Sequence, residues 1–232
     1  MFVDMNLNYG IIGNCRSAAL INNKASIDWC CLPKFDSSSV FAKILDEKKG
    51  GGFWIETKQK FHISQTYLKN TCILRTVFRN ENHEFEVIDF MPRFIKNKGE
   101  FYAPPEIIRI VRPIKGSAEI KFKYDPRLEY AQGETRHVVK KNMIRSRVDS
   151  PKHDSLFLYT NIENVKITQS NLHKLEDTIF FNISYNEKLK TPQLSDCLLN
   201  FDRTKVYWLN WCSKTPVFKH YNDQILRSAM TL

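Results

Sequence analysis

The chain has 232 residues, enough for one large all-β domain or two ordinary ones, and long enough to bury most of the apolar surface exposed when unfolded. With 42% hydrophobic residues, 16 Phe and 9 Tyr, intrinsic disorder is excluded and an aromatic-rich interior is expected. A formal net charge of +10 raises nucleic acid or an anionic surface as a partner. The cations are scattered, however, and no nucleic-acid-binding module is spelled out, so neither nucleic acid nor membrane is expected as a partner.

The first nine residues, Met1 to Tyr9, carry Asp4, Asn6 and Asn8 and lack a basic segment followed by an apolar run, so they do not read as a secretory signal. Between Ile11 and Trp54 short apolar groups alternate with turn signals at Gly10, Gly13, Asn22-Asn23-Lys24, Pro33 and Gly50-Gly51-Gly52. The Asn-Asn-Lys step between Ala18–Ile21 and Ser26–Trp29 predicts a hairpin. Val40, Phe41, Ile44 and Leu45 recur at spacings of three and four, which predicts one short helix within 37–46.

Period-two strands follow at 72–79, 84–90, 106–112, 118–124, 156–161 and 178–185, separated by Asn, Gly and Pro turns. Lys121 and Lys123 alternate with Ile120, Phe122 and Tyr124, as on a half-buried strand with one wet face. Residues Arg136 to Arg147, with Lys140, Lys141, Val138, Val139, Met143 and Ile144, read as a strand pair with a basic outer face. Beyond Thr215-Pro216, the residues Phe218, Tyr221, Ile225, Ala229 and Leu232 fall at helical spacing, so a helix is expected from about residue 216. It is still running at Leu232, as it would inside a longer protein. Many strands without intervening amphipathic helices imply an all-β antiparallel sandwich rather than a βαβ fold.

Six cysteines include the adjacent Cys30 and Cys31 and no C-x-x-C pair, and the six histidines show no ligand spacing. No metal or other cofactor is expected, and a reducing cytoplasm with free thiols is the simplest setting. No Gly-x-Ser-x-Gly elbow or phosphate loop occurs. Asp28 and Asp36 flank Trp29 and Phe35, an acid beside an aromatic, as at sugar sites. The structural reading puts Trp29 in the core and both aspartates on turn amides, and it is preferred to a catalytic Asp28/Asp36 pair; between them stands a reading in which the loop from Pro33 to Ser39 shapes a cleft. Asp125, Arg127 and Tyr130 form a second cluster, read as an ion pair pinning a loop.

Ile12-Gly13-Asn14-Cys15-Arg16-Ser17-Ala18-Ala19-Leu20, followed by Ser26-Ile27-Asp28-Trp29-Cys30-Cys31-Leu32-Pro33-Lys34-Phe35-Asp36-Ser37, closely resembles the opening of bacterial glycoside hydrolase family 15 proteins. That family includes glucoamylases, glucodextranases and some trehalases. Further matches, in the family's order, are Gly51-Gly52-Phe53-Trp54, Val87-Ile88-Asp89-Phe90-Met91-Pro92, Ile108-Arg109-Ile110-Val111-Arg112 and Tyr124-Asp125-Pro126-Arg127 with Tyr130 and Gly133. Trp208-Leu209-Asn210-Trp211, Tyr221 and Arg227-Ser228-Ala229-Met230-Thr231-Leu232 look like the family's linker and the first helix of its (α/α)6 barrel.

The resemblance implies a large sandwich (a super-β-sandwich) over residues 1–200, and a linker with the first barrel helix over 201–232. It also implies catalysis by inversion in the barrel. Inversion needs an acid and a base about 6.5 to 9.5 Å apart, and the resemblance puts both glutamates beyond residue 232. The chain alone is therefore expected to be inactive, with Trp29, Phe35 and Asp36 supporting the cleft. Tyr207, Trp208, Trp211, Phe218 and Tyr221 are expected to pack against the barrel, which acts on an α-glucan or a disaccharide such as trehalose. A stand-alone or remnant carbohydrate-binding module is the competing expectation, and in it those aromatics would fold back onto the sandwich.

Overall fold

Along Tyr9–Gly13, Ala18–Asn22 and Glu119–Asp125 alternating residues become alternately buried side chains, whereas Glu84–Phe90 and Ile179–Tyr185 are buried on both faces. The structure, a computed structural model, describes residues 8–96, 99–140, 143–151, 153–163 and 171–231. Its strands are β1 Tyr9–Gly13, β2 Ala18–Asn22, β3 Ile27–Cys31, β4 Ser39–Phe41, β5 Gly52–Thr57, β6 His62–Tyr67, β7 Leu74–Arg79, β8 Glu84–Phe90, β9 Phe94–Ile95 and β10 Phe101–Tyr102. They continue with β11 Glu106–Lys115, β12 Glu119–Asp125, β13 Thr135–Lys140, β14 Met143–Val148, β15 Ser155–Thr160, β16 His173–Lys174 and β17 Ile179–Tyr185, and helices α1 Leu194–Ser213 and α2 Asn222–Thr231 close the chain.

Two large antiparallel sheets result, besides the short antiparallel β9–β10 pair. The first runs β1-β2-β3-β5-β12-β16 with β4 on β3, and the second runs β13-β14-β15-β17-β11-β8-β7-β6. One apolar core fills the space between them, drawing Ile12, Phe53 and Phe122 from the first sheet and Val111, Ile144 and Phe181 from the second. Phe181 meets Phe53 and Phe122 edge-to-face at centroid distances of 5.1 and 4.7 Å, an arrangement aromatic quadrupoles favour. The expected all-β antiparallel sandwich is the observed one. In the β2–β3 hairpin, the Asn22 Oδ1 accepts from the amides of Lys24 and Ser26, which lets Ala25 take a left-handed φ of 59°.

A charged tie crosses the core. Arg109 on β11 is 1% exposed and grips Asp89 of β8 through Nε–Oδ1 at 2.7 Å and a second contact at 3.2 Å. The same guanidinium donates to the carbonyls of Phe53 in the first sheet and of Ala25 in its β2–β3 turn. Burial raises the Asp89 carboxyl, and Arg109 counteracts it.

Two sequence expectations fail here for identifiable reasons. The short helix within 37–46 does not form: Ser39–Phe41 pairs with β3, and the amides of Ala42 and Lys43 bond to the carbonyls of Gly50 and Gly51. Pairing that buries Val40 and Phe41 overrides their helical spacing, and Leu45 is left 70% exposed. The helix expected from about 216 begins at Asn222, while α1 occupies the stretch read as linker. Cys197, Thr204, Trp208 and Cys212 make a buried stripe along α1, and a Gln193/Asp196 capping box starts it. Pro216 thus follows a helix instead of opening one. Among the described residues no helix is long and apolar enough to cross a membrane.

Candidate functional site

Trp29 does not enter the core. It is half-buried on the outer face of the first sheet, directly opposite Leu20, which is in turn opposite Ile11. Asp28 beside it is 3% exposed and accepts hydrogen bonds from the Tyr9 hydroxyl at 3.0 Å, the Asn22 amide nitrogen at 2.8 Å and the Ser26 hydroxyl. Its bonds hold side chains, and Asn22 performs the turn-amide role expected of the aspartates. Burial, then the Asp28 charge, pushes the Tyr9 phenol up to about 12.

The loop after β3 projects Phe35, 59% exposed, and Asp36, also exposed. Its conformation is braced from a distant turn: the Tyr130 hydroxyl donates to the Ser37 carbonyl at 3.3 Å, and the Arg127 amide donates to the Val40 carbonyl at 3.0 Å. That turn is itself tight, since Glu129, Tyr130 and Ala131 all have φ near 55°. Arg127 pairs with Asp125 at 2.9 Å while both remain over a third exposed. The loop therefore sits where the second cluster pins it. Phe35 lines a small hollow with Ile11, Cys15, Cys72, Met230 and Thr231, so the end of α2 adjoins the projecting loop.

The five C-terminal aromatics part company. Trp208 is 2% exposed and packs with Cys72, Cys212 and Met230, with Tyr207 and Trp211 half-buried around it. Tyr207 also accepts a 2.9 Å hydrogen bond from Arg93. Phe218 and Tyr221 stay exposed, at 39% and 76%. An open groove of about 940 Å³ lies between the β9–β10 hairpin and α1, lined by Phe94, Tyr102, Arg203, Val206 and Tyr207. Its carboxylates, Glu100 and Asp202, are both exposed.

One buried acid escaped the sequence reading. Glu106 at the start of β11 is 2% exposed, and burial pushes its carboxyl up to about 7, opposed by the Asn182 amide bond at 3.2 Å and reinforced by the Glu187 charge. Tyr102, Tyr159 and, from α1, Cys197 also feel this charge. The Asn182 Oδ1 and Ser184 Oγ nearby have no hydrogen-bond partner.

Ionising Glu106 therefore costs the folded state. Below about pH 4.5 both folded and unfolded chains hold the proton; between there and about 7 only the folded chain does, so stability falls as pH rises through that window. Glu106→Gln is expected to remove the fall, so that the variant gains about 3 kcal/mol over the parent between pH 4.5 and 8 in urea titrations. A difference between the two that is the same at both pH values refutes this.

A two-layer antiparallel sandwich with a braced projecting loop and a helical C-terminal flank is an all-β domain in class. Residues 7–179 match the family described as trehalase-like, N-terminal, and the chain belongs to that family. Similar proteins include a trehalase of Thermoplasma volcanium, 29% identical over 97% of this chain and 36% of its own length. A second, Trehalase 2 of Sulfolobus acidocaldarius, is 39% identical over 56% of this chain and 21% of its own. The trehalase of Mycolicibacterium smegmatis is 22% identical over 97% of this chain and 37% of its own. The chain spans about a third of the length of the relatives it matches throughout.

Proposed function

We propose that this chain is the non-catalytic, cleft-supporting sandwich of a cytoplasmic, trehalase-like glycoside hydrolase of family 15. In this reading an (α/α)6 barrel of the same protein cleaves an α-linked glucoside with inversion, and residues 201–232 lead into it. The observation that carries the reading is the hollow joining Phe35 to Met230 and Thr231, which sets the projecting loop beside the C-terminal turn of α2. Trehalose is favoured over starch-like glucan because the relatives named above are all trehalases. Six unpaired cysteines support a reducing compartment.

Two measurements test it. The chain by itself should not turn over trehalose, maltose or soluble starch above a buffer blank. Substituted for the first third of the Thermoplasma volcanium trehalase, it should support trehalose hydrolysis, and Phe35→Ala or Asp36→Ala in that chimera should raise KM or lower kcat about tenfold without lowering Tm. Unchanged kinetics in both variants removes the cleft role. The burial of Trp208 favours a second reading, a self-contained sugar-binding module; saturable binding of trehalose or maltooligosaccharide by the monomer in calorimetry would establish it.

A further inference from the structure

The basic hairpin near the middle of the chain lies apart from the cleft loop, and its outer strand ends a sheet. β13 is the last strand in the order of the second sheet, so its outer edge pairs with no strand among the described residues. Of its six residues only Thr135 is buried. Edge strands are ordinarily guarded by charge placed where an incoming strand would find apolar contact. Here Val138 and Val139, each 42% exposed, stand between Arg136 and Lys140, so the edge offers apolar surface as well as charge.

The charge is of one sign. Residues 135–148 contain no Asp or Glu, and Arg136 lies directly opposite Arg147, a pairing that costs stability in an isolated sheet. Arg136 reaches Asp149 at 2.7 Å and Glu134 at 3.7 Å, all more than half exposed, so these bridges are weak. Arg147 is exposed and makes no ion pair with any described residue. Arg145, opposite Val138, spends its guanidinium on the Ser155 hydroxyl and the Phe157 ring and pairs with no carboxylate among the described residues. The far edge of the same sheet, β6, has no Arg or Lys.

We propose that the β13 edge takes up an extended acidic segment of a protein partner as a ninth strand. Main-chain bonds along the edge supply affinity, and carboxylates on alternate residues supply the countercharge that Arg147 lacks and that Arg136 finds only in two exposed bridges. Nucleic acid fits less well, because β13 and β14 carry no Phe, Tyr or Trp, and their single ring, that of His137, is bonded to the Ser146 hydroxyl and lies beside the Tyr124 ring.

The test uses the full chain and a fluorescein-labelled, end-blocked peptide of alternating Glu and Val, about eight residues long, the length of a sheet strand. Fluorescence polarisation at about 0.1 M salt should give saturable one-to-one binding. The same peptide with proline at two strand positions should bind at least about tenfold more weakly, and Arg147→Glu should cost a similar factor with Tm unchanged. Equal binding of the proline peptide reduces the contact to unspecific charge and overturns the proposal. So does no peptide binding, or tighter binding of a labelled oligouridylate than of the peptide.

Discussion

Arg109→Ala is expected to lower the free energy of unfolding by about 3–5 kcal/mol, because it strands a charge in the middle of the sandwich. Asp89 is as buried as its partner, both side chains being 1% exposed, so water cannot replace the guanidinium. The substitution also leaves the Phe53 and Ala25 carbonyls short of a donor and empties the space over the Phe53 ring, 4.7 Å from the guanidinium carbon. Losing both charges is a different matter. Arg109→Met combined with Asp89→Leu should recover much of the loss, since apolar residues of like volume often match a buried ion pair. Urea unfolding followed by tryptophan fluorescence reads both variants. A single variant within about 1 kcal/mol of the parent would show that the two sheets do not depend on this tie.

The same arginine shows what was legible in the residues and what was not. Ile108, Ile110 and Glu106 share one face of β11, while Arg109 shares the core face with Ile107 and Val111. Because parity along a strand is strict, a charge at either inward set is a buried charge, so the signal for Arg109 and Glu106 was visible in Glu-Ile-Ile-Arg-Ile, although the sequence reading did not use it. Which acid answers Arg109 was not, since Asp89 reaches it only through the β8–β11 register, where the two are direct partners.

Strand positions survived the passage to structure because alternation and turn chemistry are local. The helix expected within 37–46 failed because its apolar spacing also suits a strand whose partner, β3, is set by tertiary pairing. Helix α1 was hidden for the opposite reason: Leu198, Leu199, Val206 and Leu209 stay exposed and blur the stripe at Cys197, Thr204, Trp208 and Cys212. Phe35 and Asp36 could be named from the sequence, but the brace from Tyr130, 93 residues away, could not.

Trp208→Ala should release the C-terminal helices from the sandwich at a cost of about 3–5 kcal/mol. Its ring fills the small cluster of Cys72, Cys212 and Met230, which joins the loop before β7 to α1 and to α2. Little else secures α2: Arg227 donates to the Thr71 carbonyl at 2.9 Å and lies over the Tyr67 ring, and Leu226 and Met230 are its buried residues. Removing the indole therefore frees α2 first, while the Phe53–Phe181 core stays closed. Trp208→Phe should cost far less, because the buried indole nitrogen has no hydrogen-bond partner and phenylalanine keeps the packing without that unpaired donor. Hydrogen exchange resolves the sequence of events: in the alanine variant the amides of 222–231 should lose protection while those of 179–185 keep it. If both stretches lose protection together, or if the phenylalanine variant is as damaged as the alanine one, the helices are not held by this ring.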